Sequence, residues 1–330
     1  MASLALDWKA DGKQAAYLHI PHSSNDSAWQ SVRIPFFMLR NGVGPTTLLL
    51  GGCHGDEYEG PVALARFVHE VDLADVRGTI LIVPAINLPA VRSGTRLSPL
   101  DGLNLNREYP GNPHGTVTQR IAHFLSTEII PRCDAVVDIH SGGRSLNFLP
   151  CTFIHLPPDG RRDGELIEAA RSFGCLLTVI VDEPHASVMI DDVVEKAGKL
   201  MIATELGGSG TLTLQTASLA RFGILRLLHH LGNYEGEIVP CEVPSRLVQA
   251  PDQSYYVHAD FDAILEPAVA LGDTVAQDQT VGFLHVIGSL DVTPIRVVSP
   301  REGVVLCLSG QGLVRRDDTI LVIAADYQHP

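Results

Sequence analysis

The stretch TTLLLGGCHGDEYEG (residues 46–60) passes from an apolar run, through two glycines, to a histidine that is followed by acids. The run is β-prone and is typical of a strand buried on both faces, and the glycine pair lets the chain turn sharply where the strand ends. Apolar residues then recur at helical spacing in GPVALARFVHEV (residues 60–71). His54 and Glu57 are therefore predicted in the loop or first turn between strand and helix, where they could share one zinc ion.

The same alternation of strand-like and helix-like segments continues along the chain. It predicts an α/β fold with a mixed, mostly parallel central sheet flanked by helices over residues 1–239. The predicted strands are TTLLLGG, GTILIVPAIN, CDAVVDIH, LLTVIVD and KLMIATELGG, with AAYLHI and SVRIPFFMLR as edge strands near the start. The predicted helices are PVALARFVHEV, TQRIAHFLSTEII, DGELIEAARSFG and TASLARFGILRLLHHLG.

From about Pro240 onward the chain contains only short alternating runs separated by Gly, Pro and Asp, which predicts a small β-domain over residues 240–330. Within it, ILEPAVALGDTVAQDQTVGFL and VVSPREGVVL resemble the barrel-sandwich fold of biotinyl and lipoyl carrier domains. A carrier needs a lysine to acylate, and the sequence has no lysine after Lys199. The domain is therefore predicted to be structural, a lid or an interface, and not a swinging arm.

Composition excludes several classes of partner. The chain has 330 residues, of which 45% are hydrophobic and 19% charged, and a formal net charge of -14. Nucleic acid is not expected as a partner because neutralising phosphates requires a basic face. The sequence contains neither a targeting pattern nor a long apolar run, so we expect a cytosolic location and no membrane contact. The six cysteines lack CxxC spacing and are expected to be free thiols.

A second histidine, His140, ends another predicted buried strand in AVVDIHSGG, and the glycines after it turn the chain away at the same edge of the sheet. We therefore expect His140 to meet His54 and Glu57. Two histidines and one glutamate leave a zinc position open for water, as catalytic sites do. A third strand end, ATELGGSG, supplies Glu205, a carboxylate that could take a proton from water and pass it to a leaving amine.

Each of these residues also has a structural interpretation. His54 and Glu205 could cap a helix or a turn, and His140 could be a core histidine with satisfied hydrogen bonds. Asp138 lies two residues before His140 on the same strand face. It could orient a zinc-binding imidazole, or it could be a buried carboxylate that backbone donors satisfy.

The loop NLPAVRSGTRLSPLDGLNLNREYPG (residues 87–111) lies between the two halves of this site in sequence and is rich in Arg and Asn. Arg107 can hold a carboxylate through two parallel hydrogen bonds, Asn106 can add a third, and Arg96 could face a carbonyl oxygen as negative charge develops on it. The alternative is that both arginines form surface ion pairs with acids of the same loop.

The motifs HGDE, NLNREYPG, DIHSGG and TELGG, in this order, resemble the succinylglutamate desuccinylase and aspartoacylase family, a branch of the zinc carboxypeptidase fold. Within that family the sequence most resembles the N-alpha-acetyl-diaminobutyrate deacetylases. The resemblance implies that His54, Glu57 and His140 are the zinc ligands and that Glu205 is the acid/base. It also implies that Arg96 polarises the carbonyl and that Asn106 and Arg107 bind the substrate carboxylate. The sequence departs from the family at Asn104, where aspartoacylases have Asp, which puts the transfer of their substrate preference in question.

These observations predict a zinc-dependent deacylase, with one Zn2+ per chain, that hydrolyses the amide bond of a small N-acyl amino acid such as N-acetyl-diaminobutyrate. In the family, a domain at the C-terminal position narrows access to the zinc, which favours small substrates over peptides. The alternatives are a zinc carboxypeptidase on small peptides and a non-catalytic zinc-dependent binding protein. Glu205 argues against the last, since a binding protein needs no proton shuttle. A homo-oligomer is compatible with the sequence.

Overall fold

The structure is a computed structural model that describes residues 2–181, 188–241, 243–288 and 292–328. Its strands are β1 (Gly12–Ser24), β2 (Ser27–Asn41), β3 (Thr46–Gly51), β4 (Gly78–Val83), β5 (Ala135–His140), β6 (Leu146–Phe148), β7 (Cys151–His155), β8 (Leu177–Val181), β9 (Leu200–Glu205), β10 (Arg246–Gln249), β11 (Tyr256–His258), β12 (Ala263–Pro267), β13 (Thr274–Val275), β14 (Thr280–His285), β15 (Ile295–Val298), β16 (Gly303–Ser309), β17 (Leu313–Val314) and β18 (Thr319–Asp326). Its helices are α1 (Glu59–Glu70), α2 (Leu88–Ser93), α3 (Val117–Phe124), α4 (Asp163–Ser172), α5 (Ile190–Lys196) and α6 (Leu214–His230).

One large mixed sheet organises the chain in the order β1-β2-β4-β3-β5-β9-β7-β8-β10-β18-β16-β13, with β6 attached to β16 and β11 to β18. The pairs β3/β4, β3/β5, β5/β9, β7/β8 and β8/β10 are parallel. A separate antiparallel sheet, β15-β14-β12-β17, lies in the C-terminal part. The predicted α/β fold, with a mixed, mostly parallel central sheet and additional C-terminal β-structure, is confirmed.

The central strands are buried on both faces because helices cover both sides of the sheet. Leu49 of β3 packs into a core that includes residues of α1, α4 and α6. Leu48 and Leu50 pack into a second core on the opposite face, with residues of α3 and α5. Successive side chains of a strand point to opposite faces, so both positions of the repeat must be apolar here. This explains why Leu48, Leu49 and Leu50 follow one another without a polar residue between them.

The predicted elements differ from the structure in a few places. β4 ends at Val83, before the end of the predicted run, because Pro84 has no N–H to donate to a neighbouring strand. β7, α2 and α5 are not predicted from the sequence, because with five, six and seven residues they show little periodicity. The predicted strand LLTVIVD is observed as β8, and its last residue, Asp182, lies outside the described residues.

The C-terminal strands continue the main sheet. β10 pairs in parallel with β8 and antiparallel with β18, and β6 pairs with β16. The division into domains at residues 239 and 240 stays a prediction, and the hydrogen-bonded sheet crosses that boundary. Within the described ranges, none of the helices has the length and apolar character needed to span a bilayer.

Close backbone approach fixes the loop after β3. The Gly55 N–H donates to the carbonyl oxygen of Thr95 at 2.9 Å, and a Cβ atom at Gly55 would lie 1.9 Å from the carbonyl oxygen of Ala90 in α2. A Cβ atom at Gly60, at the start of α1, would lie 2.8 Å from the carbonyl oxygen of Ile139 in β5. Only glycine permits such approaches. The loop of residues 52–58 is therefore held between α2 and the sheet.

Replacing Gly55 with Ala should push this loop away from α2 and lower the free energy of unfolding by about 1–3 kcal/mol, the usual cost of overpacking. Urea denaturation measures the change. Gly164→Ala is the matched control, because a Cβ atom there meets nothing within 4 Å and alanine favours a helix. A Gly55→Ala protein as stable as the Gly164→Ala protein would contradict the importance of this contact.

Candidate active site

Three parallel strands deliver the predicted site residues to one edge of the sheet. His54 and Glu57 follow β3, His140 is the last residue of β5, and Glu205 is the last residue of β9. β5 lies between β3 and β9, and His140 pairs directly with Glu205 across the β5/β9 register. Gly52, with a φ of 68°, turns the chain after β3 in a conformation that favours glycine. The predicted convergence of these strand ends is thus observed.

The carboxylate of Glu57 lies between two imidazole rings. Its Oε1 is 2.6 Å from Nδ1 of His54, and its Oε2 is 2.8 Å from Nδ1 of His140. The N–H of Ser141 also donates to Oε2, at 3.2 Å. All three side chains of the cluster are buried, and their ligand-type atoms lie within 4.8 Å of one another. These are the residues predicted to hold zinc.

The second ring nitrogen of each histidine has its own partner. Nε2 of His140 is 2.9 Å from Oδ2 of Asp138, and Nε2 of His54 is 3.0 Å from Oδ1 of Asn104. The N–H of Asn106 donates to the same Asn104 oxygen, so this atom is an acceptor and Nε2 of His54 carries a proton. Both rings therefore aim Nδ1 at the centre of the cluster, the arrangement that outer partners impose on metal-binding histidines.

Of the two interpretations of Asp138, the geometry favours orientation of His140. Its Oδ2 contacts the ring, and its Oδ1 is buried without a hydrogen-bond partner among the described residues. The second interpretation required backbone donors to satisfy this carboxylate, and they do not.

The electrostatics of the cluster demand a positive charge at its centre. Burial alone would raise the pKa of Glu57, but the adjacent rings of His140 and His54 outweigh it and lower the pKa to about 2. Burial would lower the pKa of His140, but Asp138 and Glu57 outweigh it and raise the pKa well above its usual range. A proton thus balances these carboxylates. Two imidazoles and one carboxylate are also the donor set of many catalytic zinc sites, so the residues fit a divalent metal ion.

An alternative group of ligands, Cys53 with Asp138 and His140, also lies close enough to share an ion. Burial, followed by the negative charge of Asp138, raises the pKa of the Cys53 thiol far above its usual range. The thiolate is the form that binds metals, so an ion at this group would have to displace the thiol proton.

Glu205 has an incompletely satisfied carboxylate beside the cluster. Its Oε2 is buried, and the described part of the chain offers it no hydrogen-bond partner. Burial, followed by the charge of Glu57, raises the pKa of Glu205 to about 8. The group can therefore exchange a proton near neutral pH, as a general acid/base must.

A cavity of about 410 Å3 lies beside these residues. It is lined by all of the predicted site residues except Glu57, namely His54, Arg96, Asn106, Arg107, His140 and Glu205. Tyr256, Leu306, Thr319 and Val322 line it as well. These four residues belong to β11, β16 and β18, so the C-terminal strands form part of the cavity wall and limit its size.

The loop arginines do not make the surface ion pairs that the alternative interpretation required. Asp101 accepts hydrogen bonds from the backbone and hydroxyl of Thr118, and Glu108 accepts one from Gln119. NH1 of Arg96 lies 3.6 Å from Oε1 of Glu57 instead.

Asn106 has a defined orientation in the same loop. Its Oδ1 accepts a hydrogen bond from the N–H of Ile190 at 3.2 Å, and its amide nitrogen, which has no partner among the described residues, can donate to a ligand. Arg107 donates to the carbonyl oxygen of Asn106 and keeps further N–H groups for the cavity.

Sequence reasoning missed two acidic or basic residues of the cavity, Asp191 and His155. Both lie on elements that were not predicted, α5 and β7. It also treated Asn104 only as a departure from the family motif, whereas the structure gives it a contact with His54. The available signal for Asn104 was its position two residues before Asn106 in a loop already assigned to the site.

Comparisons with known proteins identify the class of enzyme to which this fold belongs. Residues 43–231 match the family described as succinylglutamate desuccinylase/aspartoacylase catalytic domain. Over 322 residues the chain is 40% identical to the N-alpha-acetyl-L-2,4-diaminobutyric acid deacetylase of Halomonas elongata. The aligned region covers 98% of this chain and 94% of that protein.

Two solved structures have closely similar folds. The product-bound ectoine utilization protein EutE (DoeB) from Ruegeria pomeroyi superposes with a TM-score of 0.94 at 36% identity, over 98% of each chain. The succinylglutamate desuccinylase/aspartoacylase from Rhodobacter sphaeroides gives a TM-score of 0.95 at 35% identity, over 99% of each chain. The chain therefore belongs to the succinylglutamate desuccinylase/aspartoacylase family and is an amidohydrolase, as the sequence motifs predicted.

Proposed function

We propose that the protein is a zinc-dependent deacylase of a small N-acyl amino acid of the N-acetyl-diaminobutyrate type, with one zinc ion per chain. The observation that carries this proposal is the buried His54–Glu57–His140 cluster, which adjoins a cavity containing an unsatisfied carboxylate, Glu205, and two arginines. The similarity to a named diaminobutyric acid deacetylase supports the choice of substrate class. The cytosolic location stays a prediction from the sequence, which is also compatible with a homo-oligomer.

The Nδ1 atoms of His54 and His140 and a carboxylate oxygen of Glu57 would hold the ion. When bound, zinc would polarise the amide carbonyl and lower the pKa of a water molecule to about 7. Asp138 and Asn104 keep the two rings in the required tautomers by contacting their Nε2 atoms.

Glu205 moves the proton in this proposal. Its Oε2 takes a proton from the attacking water and delivers it to the nitrogen of the leaving amine, so one group acts as base and then as acid. The NH groups of Arg96 lie near the cluster and would stabilise the negative charge that develops on the carbonyl oxygen.

The substrate carboxylate binds to Asn106 and Arg107. The amide nitrogen of Asn106 and the guanidinium of Arg107 are donors on the cavity wall, which suits a carboxylate. The wall contributed by the C-terminal strands restricts the cavity to small ligands. Hydrolysis of N-acetyl amino acids, with no hydrolysis of dipeptides, would separate this function from that of a carboxypeptidase.

The Glu205→Gln variant should keep stoichiometric zinc and lose turnover by about a hundred- to ten-thousandfold, the usual contribution of a general acid/base. Metal analysis and steady-state kinetics on N-alpha-acetyl-diaminobutyrate measure both quantities. Glu302→Gln, at an exposed acid away from the cavity, is the control and should change neither. A near-normal rate in Glu205→Gln would refute the proton-transfer role.

Replacing Arg107 with Met should remove about 1.5–3 kcal/mol of binding free energy for a substrate with a free carboxylate, because it deletes a charged hydrogen-bond donor while keeping an apolar stem. A substrate whose carboxylate is masked as an amide should be almost unaffected. Arg92→Met provides the control, since Arg92 is exposed on α2 and does not line the cavity. Equal losses for free and masked substrates would mean that Arg107 supports the loop and does not recognise the carboxylate.

A further inference from the structure

Asp191 is an acidic residue of the cavity that the proposed reaction does not use. It is the second residue of α5, directly after Ile190, whose N–H donates to Oδ1 of Asn106. The N–H of Tyr109 donates to the carbonyl oxygen of Val188 at 3.0 Å in the same region. The loop that carries the carboxylate-binding pair is thus fastened to the start of α5, and Asp191 lines the same cavity as that pair.

The carboxylate of Asp191 lines the cavity without a direct hydrogen-bond or ion-pair partner in the part of the chain that the structure describes. The adjacent Asp192, by contrast, lies 3.6 Å from Nζ of Lys196. Burial raises the pKa of Asp191 to about 6; the rings of His155 and His140 oppose this rise, and the charges of Asp138 and Glu195 add to it. A half-buried carboxylate next to other acids is costly unless a positive charge approaches it.

A bound N-acyl amino acid presents three groups to the cavity. The acyl amide belongs beside Glu205 and the metal cluster, and the α-carboxylate belongs beside Asn106 and Arg107. The amino-acid side chain is the group without an assigned partner, and Asp191 is the cavity carboxylate without an assigned role. The relative from Halomonas elongata is named for a substrate whose side chain ends in an amine.

We propose that Asp191 binds the terminal ammonium group of the substrate side chain and so selects short, basic N-acyl amino acids. This inference rests on the proposed function and adds a specificity residue to it. An N-acyl derivative of an acidic amino acid would bring a second negative charge to Asp191. Such a substrate is therefore disfavoured by repulsion as well as by the missing ion pair.

The test compares N-alpha-acetyl-diaminobutyrate with N-alpha-acetyl-norvaline, in which a methyl group replaces the ammonium. Wild-type enzyme should prefer the charged substrate in kcat/KM. Asp191→Asn should lose about ten- to a hundredfold on the charged substrate, mainly through KM, and should leave the norvaline derivative unchanged. Asp191→Glu, which keeps the charge, should retain the preference.

Asp192→Asn is the matched control, with the same substitution at the next residue, which does not line this cavity. It should leave the preference between the two substrates intact. Equal effects of Asp191→Asn on both substrates, or a wild-type enzyme without preference for the charged one, would overturn the role of Asp191 and leave the proposed deacylase function standing. A wild-type enzyme that hydrolyses no N-acyl amino acid would instead overturn the proposed function itself. Because the wild-type comparison needs no variant, a wild-type enzyme without the preference overturns the role of Asp191 even if Asp191→Asn folds poorly.

Discussion

The site depends on one interaction, the contact of the buried Glu57 carboxylate with the Nδ1 atoms of two histidines. A carboxylate that is removed from water needs an opposite charge or several donors, so Glu57 can occupy this position only if a proton or a metal ion balances it. The fold supplies the geometry, because β3 and β5 are adjacent and parallel and end at the same edge. Close approaches at Gly55 and Gly60 then hold the connecting loop against α2 and β5.

The two histidines are supported by different outer partners, and the difference sets the charge of the cluster. His140 contacts a carboxylate, Asp138, whereas His54 contacts a neutral amide, Asn104. Glu57 and Asp138 together carry two negative charges, which one divalent ion would neutralise. An Asp at position 104, as in aspartoacylases, would leave the same cluster with an excess negative charge. Asn104 fixes the tautomer of His54 through its bond to the Asn106 N–H without adding that charge.

The sequence was sufficient to predict β3, β4, β5, β8 and β9 of the sheet and the residues that meet at the ends of β3, β5 and β9. Apolar runs followed by glycines located β3, β5 and β9, and parallel strands bring their carboxyl ends together whatever the sequence separation. What the sequence could not supply is the rest of the cavity. Asp191 lies on a seven-residue helix with little periodicity, and Tyr256 reaches the cavity because β10 returns beside β8. Such placements follow from tertiary packing between distant segments and leave no local pattern.

The central claim is that His54, Glu57 and His140 are the ligands of one zinc ion, and X-ray absorption at the zinc edge of the zinc-loaded protein tests it most directly. The expected spectrum shows only nitrogen and oxygen neighbours, at about 2.0–2.2 Å, with the multiple scattering of two imidazole rings. A sulfur neighbour at about 2.3 Å would place the ion on Cys53, in the alternative group with Asp138 and His140, and would contradict the claim.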